Sequence, residues 1–256
     1  MDPERVRLAI SVLDLTDLGD DTMAEDVAAL SDRAIGAGTA AVCVWPRFVG
    51  DCSRLLAGSG VRVATVVNFP SGDEAMDAVM AMTREALEAG ADEIDVVAPY
   101  RAWLAGDEPA ACAVLDGVRA AVDAAGEDRL MKVIIETGEL PNRAAIDRAT
   151  HLAIGCGADF VKTSTGKTAV SATLEAAEIV LEAIDVSGRP VGFKASGGIR
   201  TTADAAAYID LAEQIMGDGW VSPDTFRFGA SGLLDALLAE LDESAGSTGS
   251  AIGDSY

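Results

Sequence analysis

The sequence predicts an α/β protein: a single-domain (β/α)8 barrel with a flexible C-terminal tail. Three observations carry this reading. Short apolar, β-branched runs recur eight times along the 256 residues, each bounded by Gly, Pro, Asp or Ser. Ala-rich amphipathic stretches of helical length lie between them. No break in composition marks a second domain, and eight strand–helix alternations suit a closed parallel sheet better than an open one, which usually has fewer strands.

The runs follow in order. LAISVLDL (8–15) opens the barrel, followed by AAVCVWP (40–46), VRVATVVNF (61–69) and EIDVVAP (93–99). MKVIIET (131–137), DFVKTST (159–165), VGFKAS (191–196) and FRFGA (226–230) complete it. The clearest helices are DEAMDAVMAMTREALEAGA (73–91) and SATLEAAEIVLEAI (171–184), whose apolar residues recur at three-to-four spacing. Glycines in EAGADEIDV and IGCGADFVK suit C-terminal caps just before the next strand. The barrel is therefore expected over 1–242. ESAGSTGSAIGDSY (243–256) is Gly/Ser-rich and is expected to be a flexible tail.

Composition excludes several function classes. No apolar run reaches the roughly 18–20 residues of a membrane span, and the start MDPERVRLAI is not a secretion signal. A soluble, cytoplasmic protein with no membrane partner is expected. The net charge of −23 argues against a nucleic-acid partner, because phosphate backbones call for a basic face. Cys43, Cys52, Cys112 and Cys156 form no CxxC pair and fit buried thiols in a reducing compartment. The only histidine, His151, lies in an apparent helix and reads as structural, so a metal site built from several histidines is excluded.

Only four of the 19 basic residues are lysines: Lys132, Lys162, Lys167 and Lys194. Excess carboxylate with little lysine suits a protein working in concentrated salt, where self-repulsion is screened; an acidic coding bias is the plainer explanation. A residue type stripped from the surface but kept in strand-like segments is a candidate for chemistry.

In a parallel barrel the active site lies at the carboxyl ends of the strands. Polar groups gather there: Asp14, Thr16, Asn68, Asp95, Glu136, Thr137, 162–167, 194–200 and 229–232. Lys162 and Lys194 fall within successive apolar strands, where desolvating an ammonium is costly. Each could pair with a carboxylate as a structural ion pair. Alternatively, two facing cations depress each other's pKa and leave one neutral amine able to form a Schiff base with an aldehyde or ketone. Lys132 and Glu136 share strand parity, so both can point inward. STGK (164–167), SGGIR (196–200) and GASG (229–232) are each weak signals, but together they form a small-residue rim suited to a phosphate, with a helix starting near Ser231.

The blocks LDLTDLGDD, AAVCVWPRF, ATVVNFPSG, ADEIDVVAPYRAWLAGD, KVIIETGEL, GADFVKTSTGK, VGFKASGGIR and FRFGAS, in this order and spacing, resemble the deoxyribose-phosphate aldolase family. These are class I aldolases on a TIM barrel, and the resemblance covers nearly the whole chain. It implies Lys162 as the Schiff-base lysine, Lys194 as the lysine that tunes it and Asp95 as the carboxylate of a proton relay. It implies Asp14 and Thr16 at the sugar hydroxyls, and Gly166, Lys167, Gly198 and Ser231 around the phosphate. Gly232 stands where the family form carries a second serine, which removes one hydroxyl from that site. Cys43 matches a pocket position, although a cysteine in an apolar strand is more often packing. The chain ends in Ser255 and Tyr256, and by resemblance Tyr256 helps to move the proton at C2 of the enamine.

The expected reaction is reversible cleavage of 2-deoxy-D-ribose 5-phosphate into D-glyceraldehyde 3-phosphate and acetaldehyde. It calls for no metal and no cofactor; the expected partner is the small-molecule sugar phosphate, with a homodimer by family analogy. Another class I sugar-phosphate aldolase, or a non-catalytic sugar-phosphate-binding barrel, are the alternatives.

Overall fold

Parallel pairing in chain order closes the eight apolar runs into a barrel in the computed structural model, which describes residues 1–249. The strands are β1 (Leu13–Asp17), β2 (Ala41–Val44), β3 (Arg62–Val67), β4 (Glu93–Val97), β5 (Leu130–Ile134), β6 (Phe160–Lys162), β7 (Gly192–Ser196) and β8 (Phe226–Ala230). Strand β8 pairs back onto β1, with Asp14 opposite Gly229. The helices are α1 (Pro3–Ser11), α2 (Ala24–Ala37), α3 (Val49–Leu55), α4 (Met76–Glu88), α5 (Tyr100–Leu104), α6 (Glu108–Ala125), α7 (Arg143–Gly155), α8 (Leu174–Ser187), α9 (Thr202–Met216) and α10 (Leu233–Gly249). Helix α4 buries Val79, Met80, Thr83, Ala86 and Leu87, the stripe that its three-to-four spacing dictates. Gly38 ends α2 in the left-handed region at φ 71°, a conformation that glycine adopts without a Cβ clash. None of these helices is long and apolar enough to cross a membrane.

The first run divides differently from the sequence expectation. Residues 8–11 belong to helix α1, and the strand begins only at Leu13. The Asp2 side chain accepts hydrogen bonds from the amides of Glu4 and Arg5, and Pro3 occupies the first helical turn. Local capping thus extends a helix that buries Val6, Ala9 and Ile10, and it packs against α9 and α10. At the other end, α10 continues through Gly249, so residues 243–249 of the expected tail are helical. Tyr256 and the rest of that tail lie outside the described residues.

Side chains alternate along each strand, so one parity faces outward to the helices and the other faces the barrel axis. The inward set is mixed in size, and glycines make room for the largest members. A Cβ on Gly192 would come within 2.4 Å of the Phe160 ring, and one on Gly229 within 3.0 Å of the Lys194 side chain. Gly192→Ala is therefore expected to destabilise the barrel by about 1–3 kcal/mol through overpacking. A thermal melt checks this, and an unchanged Tm would mean that the Phe160 ring can move aside.

Candidate active site

Strand pairing gathers the inward charges inside the barrel. Asp95 on β4 pairs with Lys132 on β5, and Lys162, the last residue of β6, pairs with Lys194 on β7. Lys194 in turn lies opposite Arg227 on β8. All of these groups are buried, Lys162 at 2% exposure being the one nearest to the barrel mouth's solvent. Burying so many charges is tolerable only if they pair, and here they do.

The pairs form a closed ring. Asp95 Oδ2 accepts from Lys194 Nζ at 2.8 Å, and Lys194 also donates to Asp14. Asp14 Oδ1 accepts from Arg227 at 2.6 Å, and Arg227 reaches both carboxylate oxygens of Glu93 at 2.9 and 3.2 Å. Lys132 donates to Glu93 and, at 2.8 Å, to Asp95 Oδ1, which returns the path to its start. Three carboxylates alternate with three cations, so the ring is neutral by itself. Lys162 hangs outside it: its Nζ donates at 2.8 Å to Asp95 Oδ2, the oxygen that Lys194 already occupies.

This asymmetry separates the two lysines. Burial pushes the Lys162 amine below its ordinary value, helped by the Lys194 charge and opposed by Asp95. Burial acts on Lys194 in the same sense, but Asp14 and Asp95 outweigh it and raise that amine well above the usual lysine range. The sequence-based expectation that the two cations depress each other is thus corrected: only Lys162 is lowered, because Lys194 holds two carboxylates and Lys162 shares one oxygen. Burial would raise Asp95, yet Lys132, Lys162 and Lys194 hold it well below the usual carboxylate range. Asp14 is likewise held low against its burial, by Lys194, Arg227 and Lys132.

The other anticipated residues fall at distinct levels. Both Asp14 oxygens are taken by ring cations, so it lies among the paired charges rather than open to a ligand. Thr16, one inward step higher on β1, is half-buried and donates its hydroxyl to the Asp14 carbonyl at 2.8 Å. Cys43, in register with Thr16, is fully buried, and burial pushes its thiol up. Lys132 joins the charged network directly. His151 is an exposed residue of α7, whose Nδ1 lies 3.0 Å from the Asp147 carbonyl oxygen, away from the barrel interior.

Above the ring, the loops after β6, β7 and β8 are tied together. Glu136, fully buried with a left-handed φ of 51°, accepts from the Thr165 amide, the Thr165 hydroxyl at 2.5 Å and the Thr168 hydroxyl at 3.2 Å. Its expected inward position gives way to a role in holding the 164–168 loop. Lys167 spans the mouth from that loop, donating to the Leu18 carbonyl at 2.9 Å. Gly166 and Gly198 both have φ near +80°, and a Cβ on Gly197 would lie 3.2 Å from the Gly166 Cα. The Gly197 amide donates to the Gly229 carbonyl, two residues before exposed Ser231 and Gly232 at the head of α10. Small residues on three adjacent loops thus rim one side of the mouth.

Glu93 and Arg227 were not singled out from sequence. A signal existed: each is an ionisable residue inside an apolar strand (EIDVV, FRFGA), and Glu93 shares the parity of Asp95. What sequence lacked was the partner.

Comparison with known proteins agrees with this geometry. Residues 8–239 match the family model described as DeoC/LacD family aldolase. The chain is 52% identical over 239 residues to a deoxyribose-phosphate aldolase of Agrobacterium fabrum (strain C58 / ATCC 33970), covering 92% of this chain and 91% of the relative. A candidate deoxyribose-phosphate aldolase from Toxoplasma gondii ME49 superposes with a TM-score of 0.85 at 28% identity, covering 94% of this chain and 98% of that one. The deoxyribose phosphate aldolase of Aeropyrum pernix, described as a tetramer, superposes with a TM-score of 0.78 at 26% identity, covering 93% and 92%. With the barrel closed, a lysine-rich charged layer inside it and a family match across nearly its whole length, the chain belongs to the DeoC/LacD family of aldolases.

Proposed function

We propose that this chain is a deoxyribose-phosphate aldolase, cleaving 2-deoxy-D-ribose 5-phosphate reversibly to D-glyceraldehyde 3-phosphate and acetaldehyde with Lys162 as the Schiff-base nucleophile. One observation carries the assignment of the nucleophile: Lys162 is the amine left over by a neutral ring of paired charges, and it is the lysine whose pKa is lowered. A neutral amine attacks C1 of the open-chain sugar and forms a carbinolamine, which loses water to give an iminium. The C3 hydroxyl proton passes to Asp95, directly or through a water. The C2–C3 bond then breaks, and its electron pair flows to the iminium nitrogen, giving an enamine and releasing D-glyceraldehyde 3-phosphate. Protonation at C2 and hydrolysis of the resulting iminium free acetaldehyde and the amine.

A carboxylate held as low as Asp95 is a weak base, so it passes the proton on rather than storing it. In this reading Thr16 meets a sugar hydroxyl and Asp14 supports it from below, since Asp14 must give up a cation to reach the sugar itself. Gly166, Lys167, Gly198 and Ser231 receive the phosphate through amides, one ammonium and one hydroxyl. Tyr256 is proposed for the proton at C2. A cytoplasmic location and a homodimer go with the same reading.

Reductive trapping tests it. Borohydride added with acetaldehyde should fix an ethyl group on Lys162, located by peptide mass mapping. An adduct on Lys194 or Lys132 overturns the assignment of the nucleophile. Lys194→Leu is expected to raise the Lys162 pKa, because Lys162 then has Asp95 Oδ2 to itself and loses the cation that shares that oxygen. The acid limb of the pH–rate profile should move to higher pH, and a limb that stays in place would rule out electrostatic tuning by Lys194.

A further inference from the structure

We propose that Arg227 and Glu93, which touch neither Lys162 nor the barrel mouth, are positioning residues: they close the ring of paired charges and so leave Lys162 as its surplus amine. This rests on the reading of Lys162 as the nucleophile. The geometry is specific. Arg227 Nη1 donates to both Asp14 Oδ1 and Glu93 Oε2 and its Nη2 to Glu93 Oε1, while its Nε donates to the Pro223 carbonyl at 2.6 Å and its guanidinium lies 5.5 Å from the Phe160 ring centre. That ring has its space because Gly192 carries no Cβ. Glu93 in turn joins Arg227 to Lys132, and Lys132 holds Asp95 Oδ1. The guanidinium fork is fixed from every side, which suits a group that orients others.

The charges around Lys162 are Asp14 from β1, Glu93 and Asp95 from β4, Lys132 from β5, Lys194 from β7 and Arg227 from β8, together with the Cys43 thiol from β2. Partly exposed Arg62 on β3 approaches Glu93 at 3.9 Å from the solvent side. Removing Arg227 leaves Asp14 and Glu93 in excess, and the field at Lys162 then favours its ammonium. Removing the Glu93 charge leaves Arg227 and Lys132 in excess, and the field favours the neutral amine. The two changes act on Lys162 with opposite signs although both damage the same ring.

The test is the pH dependence of cyanoborohydride trapping of acetaldehyde at Lys162, followed by mass mapping. In Arg227→Met the acid midpoint should rise by about one pH unit, and in Glu93→Gln it should fall by about one. The double variant should return to the wild-type midpoint, and Arg227→Lys, which keeps the charge, should stay near it. A merely structural role lowers rate and stability in all four without opposed shifts. If Arg227→Met does not fold, the near-isosteric Glu93→Gln decides alone: a lowered midpoint supports the proposal and an unmoved one overturns it. Trapping at Lys162 with the same midpoint in every variant overturns this proposal and leaves the nucleophile standing. No trapping at Lys162 in the wild-type protein overturns the nucleophile itself.

Discussion

Lys162→Arg is expected to abolish aldol cleavage, with a loss of at least about 10⁴-fold in turnover. A guanidinium stays protonated and cannot form the imine, so no partial reaction replaces the lost step. The substitution keeps a cation beside Asp95 Oδ2, where Lys162 donates at 2.8 Å, so the fold should survive. Circular dichroism and a thermal melt check the fold, and a coupled assay of D-glyceraldehyde 3-phosphate release checks activity. Activity within about tenfold of wild type would place the covalent step on another residue.

Asp95→Asn is expected to have the second-largest effect, on stability and activity together. Asp95 accepts from three lysines at 2.8 Å each, and an amide in its place leaves two ring ammoniums short of a partner. Breaking a buried charge pair costs about 3–5 kcal/mol, and losing a proton relay costs about 10²- to 10⁴-fold in rate. The amine of Lys162 should nevertheless trap acetaldehyde, and at lower pH than in the wild type, because the layer then carries excess positive charge. A variant that keeps full turnover would remove Asp95 from the relay.

The pH dependence of stability follows from the same groups. Asp14 and Asp95 lie below their ordinary value of 3.8 in the folded state, so their stabilisation is present above 3.8 and is lost as pH falls through their folded values. Lys132 and Lys194 lie above 10.5, so theirs is present below 10.5 and is lost as pH rises through their folded values. Lys162 works the other way. Its folded amine is lowered, so below 10.5 it opposes folding, and that penalty shrinks as pH climbs from its folded value to 10.5.

Much of this protein is local and therefore legible in one dimension. The eight strands and the helices between them follow from apolar periodicity. Lys162 and Lys194 stood out because a lysine in an apolar strand is rare in a chain with four lysines. Local pattern misled where a cap or a turn overrode it, as when Asp2 drew residues 8–11 into a helix and a left-handed backbone turned Glu136 toward the loop after β6, and also at the C-terminus, where α10 runs on through Gly249.

What sequence alone determined, then, was the barrel and the identity of its unusual lysines. Which lysine has its pKa lowered was decided by tertiary structure. That answer depends on Asp14 meeting Arg227 across 213 residues and Lys194 across 180, contacts that no window of sequence contains. The physical reason is that a pKa is set by every charge within a few ångströms, whatever its distance along the chain, and barrel closure is what brings β1, β4, β7 and β8 around one amine.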